Sequence, residues 1–123
     1  MIKLLAIDMD GTCLNQRSRI TPAVLQALTA AHRAGIEIVP TTGRALCCLP
    51  HQLTAHPELY RYAITSNGAR VTELSDHSTL FRAEIPKNMA LELTKSLQDS
   101  HIGRTAHIDH QYLVEGHPLH AMG

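Results

Sequence analysis

Tryptophan is absent from this chain, and phenylalanine occurs once. Tyr60, Tyr62, Phe81 and Tyr112 are its whole aromatic content, which leaves little on which to stack nucleobases. An excess of either charge is also missing: eleven Lys and Arg balance eleven Asp and Glu, for a formal net charge of zero. No basic field draws the chain to nucleic acid or to an anionic membrane, so neither is expected as a partner. No apolar run approaches the ~20 residues that cross a bilayer. Lys3 is followed by only four apolar residues before Asp8, too few for the core of a secretion signal, and a cytoplasmic location is expected. Cysteine is scarce. Cys13, Cys47 and Cys48 form no metal or redox spacing, and the adjacent pair is poorly placed for a disulfide, so reduced thiols are expected.

Apolar residues make up 44% of the 123 positions and charged residues 18%, the balance of one ordinary core-forming domain. The apolar run 2–7 reads as a parallel-sheet strand, apolar on both faces. A polar loop follows to residue 20. Thr21-Pro22 then opens a helix, with Thr21 as cap and Pro22 at the first helical position. Val24, Leu25, Leu28 and Ala31 form its apolar face, and Gly35 ends it. A second strand is expected over 36–39, closed by Pro40, and a second helix over roughly 45–55, kinked or broken at Pro50. A third strand covers 60–65. This βαβαβ order predicts an α/β fold with a parallel sheet. Beyond the Asn67-Gly68 turn, segments 70–74 and 79–84 read as a hairpin through Ser75-Asp76-His77-Ser78. Residues 86–99 read as a helix with Ile85, Met89, Leu93 and Leu97 along one face. Short strands are expected over 105–108 and 112–114, and residues 116–123 show no pattern.

Three motifs carry chemistry. The first is Asp8-Met9-Asp10-Gly11-Thr12, at the carboxyl end of the first strand, where open α/β sheets bind ligands. Two carboxylates there repel, so a cation or a shared proton is expected between them. Asp8 suits a nucleophile toward phosphorus and Asp10 a general acid and base. Mg²⁺, a hard cation, would neutralise the pair and a phosphate together. Gly11 permits the tight turn, and Thr12 is placed to orient Asp10 or the loop. The second motif is Thr41-Thr42-Gly43-Arg44, expected to open a helix whose N-terminus binds phosphate through Thr42 and the Gly43 amide. Arg44 would add charge or hold the loop. The third, Ser66-Asn67-Gly68-Ala69, puts Asn67 on the rim of the same crevice. The histidine-rich groups His107-Ile108-Asp109-His110 and His117-Pro118-Leu119-His120 match no known ligand spacing, and a metal-binding module built on them ranks last.

In order and spacing, Ile7 to Asn15, Ile20-Thr21-Pro22, Thr41 to Arg44 and Ser66 to Ala69 resemble the haloacid dehalogenase (HAD) superfamily, in its Cof-type, class IIB sugar-phosphatase branch. Cys13 stands where that pattern usually has leucine. The resemblance implies a Rossmann-like core, here residues 1–85, and the beginning of an α/β cap over 86–123. It implies Asp8 as nucleophile, Asp10 as acid and base, and phosphate contacts from Thr42 and Gly43. Mg²⁺ would be held by the Asp8 carboxylate and the Asp10 main-chain carbonyl. The substrate would be a small phosphorylated metabolite, hydrolysed through an aspartyl-phosphate.

Such proteins also carry a downstream lysine and an acidic Gly-Asp…Asn-Asp cluster. The lysines here are Lys3, Lys87 and Lys95, none at a matching place, and no paired acidic cluster follows Asp10. The chain therefore resembles roughly the first half of such a protein. Its activity is expected to be impaired, and its first strand to be an exposed edge prone to self-association. The alternative reading is a non-catalytic HAD-like fragment or interaction module.

Overall fold

The computed structural model of the chain describes residues 1–108 and 111–115. A five-stranded sheet runs in spatial order β1 (Leu4–Asp8), β2 (Glu37–Thr41), β3 (Tyr62–Thr65), β4 (Arg70–Glu73) and β5 (Thr79–Arg82). The first three strands are parallel and the last two antiparallel, as a βαβαβ unit followed by a hairpin requires. Beyond the sheet come α3 (Lys87–Ser96) and a separate hairpin of β6 (Arg104–Ile108) and β7 (Gln111–Glu115).

Local chemistry accounts for the first crossover. Thr21 Oγ1 accepts the Val24 N–H at 3.4 Å and Pro22 starts α1 (Pro22–Arg33). Gly35, at φ +89°, reverses the chain after the helix. Leu28 is buried and Val24 and Ala31 pack against the core, while Leu25 stands exposed. The strand after it runs through Pro40 rather than ending there. Glu37 N–H donates to Lys3 on the β1 side and Thr42 N–H to Ile64 on the β3 side. Alternate residues face alternate neighbours, so Pro40 faces β3. Pairing with β3 begins only at Thr41, and the missing N–H breaks no ladder bond.

Two expectations need correction. The single helix over 45–55 is two short pieces, a 3₁₀ turn Leu46–Cys48 and α2 (His51–Thr54). Leu49 between them is extended, as a residue before proline must be. Second, β1 is not buried on both faces. Among the described residues it pairs only with β2, and Leu4 is 56% exposed, in line with the exposed-edge expectation. The helix expected over 86–99 forms as α3, and its apolar stripe lies open: Met89, Leu93 and Leu97 are exposed, as is Ile85 before the helix. The core lies instead under the sheet, where Met9, Ile38, Leu28, Leu53, Tyr60 and Ala63 form its centre. No helix among the described residues is long and apolar enough to cross a membrane.

Candidate active site

Parallel register puts three strand ends at one edge of the sheet. Asp8 closes β1 level with Thr41, and Thr41 is level with Ile64 of β3. The loop after β1 is wound around Met9, whose side chain is fully buried. Its carbonyl accepts the N–H groups of Thr12, Cys13 and Leu14 at 3.3, 3.1 and 2.9 Å. Gly11 makes the turn at φ +76°, a conformation that costs glycine little. Anchoring Met9 inward leaves Asp8 and Asp10 at the surface. Thr12 Oγ1 donates to Asp8 Oδ2 at 3.1 Å, so this hydroxyl orients the first carboxylate and not Asp10.

Asp10 is held from a distance of 34 residues. Arg44 forks it, Nε to Oδ2 at 2.8 Å and Nη2 to Oδ1 at 2.5 Å. That two-pronged geometry is the strong form of an arginine–carboxylate bond. It raises the Arg44 pKa further, chiefly through the hydrogen bond to Asp10. The same guanidinium donates from Nη1 to the Cys48 carbonyl at 3.1 Å and from Nη2 to Ser18 Oγ at 3.4 Å. Arg44 thus holds loops together, one of the two roles its motif suggests.

Thr42 is buried, and its Oγ1 accepts the Arg44 N–H at 3.1 Å. The loops after β2 and β3 are tied by Asn67 N–H to the Thr42 carbonyl and Ser66 N–H to the Arg44 carbonyl. Gly43 gives room to the Asn67 amide. A Cβ there would sit 2.7 Å from Asn67 Oδ1. Ser66 and Asn67 hold positive φ, +52° and +56°, to make the turn. Because only the 3₁₀ turn follows, Thr42 and Gly43 do not begin a helix of any length, and the anticipated helix-dipole contribution is missing. What the loop offers an anion is a hydroxyl and the Gly43 N–H, which has no acceptor among the described residues.

One neighbour had no sequence signal. Ser66 Oγ and His107 Nδ1 are hydrogen-bonded at 2.7 Å, joining the β3 loop to β6 across 41 positions. Asp109, His110 and His117 to His120 lie outside the described residues. Among the described residues no three His, Cys, Asp or Glu groups converge to hold a metal ion. Asp8 and Asp10 are both exposed at the end of β1, and their oxygens are hard donors of the kind Mg²⁺ takes alongside water and phosphate.

The sequence pattern of haloacid dehalogenase-like hydrolases matches residues 5–119. Pyridoxal phosphate phosphatase YbhA of Escherichia coli is 29% identical over 94% of this chain and 42% of its own length. The 5-amino-6-(5-phospho-D-ribitylamino)uracil phosphatase YcsE of Bacillus subtilis is 39% identical over 57% of this chain and 28% of its own. Among solved structures, a HAD phosphatase from Bacteroides thetaiotaomicron superposes with TM-score 0.71 at 30% identity, over 93% of this chain and 41% of that one. A sugar phosphatase of HAD subclass IIB gives TM-score 0.75 at 25% identity, over 91% and 43%. The chain spans less than half the length of these relatives. With the Asp8 loop, the Thr42 loop and the parallel strand ends in this arrangement, the chain belongs to the haloacid dehalogenase-like hydrolase family.

Proposed function

We propose that this chain carries the nucleophile side of a Mg²⁺-dependent site that hydrolyses small phosphate monoesters. The observation that carries the reading is register: Asp8 and Thr41 stand side by side, so the carboxylate loop and the Thr42-Gly43 loop leave the sheet next to each other. Asp8 Oδ attacks phosphorus, forming an acyl phosphate as the ester P–O bond breaks. Asp10 gives a proton to the departing oxygen and later takes one from the attacking water. Thr42, Gly43 and Asn67 hold the phosphoryl oxygens. Arg44 holds both Asp10 oxygens through its fork, and each keeps a second lone pair for the proton it exchanges. Mg²⁺, held by the Asp8 carboxylate and the Asp10 main-chain oxygen, would supply charge neutralisation. Residues 1–85 form the core portion in this reading and 86–123 the opening of the cap.

The test is hydrolysis of an aryl phosphate with and without Mg²⁺. Slow, Mg²⁺-dependent turnover that Asp8→Asn abolishes is expected. Turnover indifferent to Asp8→Asn overturns the assignment.

A second reading, an interaction module, is favoured by the exposed edge of β1, where Leu4 and Leu5 are open to solvent. Such an edge is a template for strand pairing with a second copy. Concentration-dependent dimerisation that Leu5→Lys suppresses supports this reading, and a monomer at every concentration rejects it.

A further inference from the structure

Cys47 and Cys48 close the 3₁₀ turn Leu46–Cys48, with their Sγ atoms 3.6 Å apart. Neighbouring residues on a helical turn ordinarily send their side chains in different directions. Here two thiols converge, Cys47 exposed and Cys48 half-buried, while Cys13 is buried in the core. An open cleft begins at Cys47 and is walled by Leu46, Leu49, His51, Thr54 and His77. The turn offers no third ligand for a metal ion among the described residues. It offers two soft sulfurs aimed at one point, which suits a single thiophilic atom that needs only two bonds from the protein.

We propose that Cys47 and Cys48 form a dithiol site for trivalent arsenicals carrying an apolar substituent. An arylarsine oxide condenses with both thiols. Two As–S bonds form, the arsenic–oxygen bond breaks, and the two thiol protons leave with that oxygen as one water. Arsenic stays trivalent, so no oxidant or reductant takes part. The aryl group lies in the cleft along Leu46 and Leu49. The Cys48 carbonyl accepts from Arg44, the residue that forks Asp10, so the site adjoins the carboxylate loop through one side chain. The proposal does not depend on phosphatase activity.

Phenylarsine oxide is the probe, with the full chain and intact-mass detection. One equivalent should bind per chain with loss of one water, survive excess 2-mercaptoethanol and be released by 1,2-ethanedithiol. Cys47→Ser, at an exposed position, should weaken binding about a hundredfold or more, because the second bond is no longer intramolecular. In the unmodified chain, bound reagent should protect Cys47 and Cys48 together from N-ethylmaleimide. Binding unchanged in Cys47→Ser, release by monothiol alone, or protection confined to Cys13 would each overturn the proposal.

Discussion

Two helices of this chain carry apolar stripes of similar spacing and sit in opposite surroundings. In α1, Leu28 is 4% exposed and belongs to the core beneath the sheet. In α3, Leu93 is 51% exposed, and Met89 and Leu97 beside it are uncovered. The difference is in what surrounds each helix. The first is a crossover between two adjacent parallel strands, so the sheet lies against it by construction. The second follows the last strand of the sheet rather than joining two of its strands, and Arg104 donates to its Thr94 carbonyl. A repeat of apolar residues creates a sticky face. Burial needs a partner that connectivity brings to it.

The contrast is easiest to break by truncation. Leu28→Ala should cost about 2–5 kcal/mol, and Leu93→Ala within about 0.5 kcal/mol of nothing. Urea unfolding of both variants decides it, and equal losses would mean that α3 is covered in solution. Alkali should find the first region next. Tyr60 is fully buried, and burial pushes its phenol up to about 12. In the unfolded chain it titrates near 10. The folded state then holds a proton that the unfolded state has lost. Stability is therefore intact below about pH 10 and falls as pH rises toward 12, by roughly 2–3 kcal/mol. The slope over that window should flatten in Tyr60→Phe. At neutral pH the same variant should gain about 1 kcal/mol, since the Tyr60 hydroxyl is buried without a hydrogen-bond partner among the described residues.

The smallest effect should fall on the join between the regions. Ser66→Ala removes the bond to His107 and should cost about 1 kcal/mol or less. It should speed amide exchange in β6 and β7 while leaving β1 to β3 unchanged. Uniform acceleration along the chain would show that the two regions open as one.

What could be read from the residues was what is local. The Thr21-Pro22 start, the Gly35 stop and the carboxylate turn after the first strand each rest on interactions spanning a few positions, and their residue types announce them. Strand order followed because a strand–helix–strand pattern has few solutions. The short pieces after Arg44 were harder, since Pro50 signals a break without saying how little helix survives on either side. The Arg44–Asp10 fork was illegible for a different reason. It joins residues 34 apart, and nothing in either segment names the other. The Ser66–His107 bond and the convergence of the two thiols are likewise products of packing.

The contact between Gly43 and Asn67 has an evolutionary corollary. With only 2.7 Å between a would-be Cβ and Asn67 Oδ1, a side chain at 43 is admitted only once the Asn67 amide turns away. A side chain gained at 43 is easier to admit where residue 67 is shorter, and asparagine at 67 favours glycine at 43. Substitutions at the two positions should therefore be correlated, a shorter residue at 67 accompanying a side chain at 43.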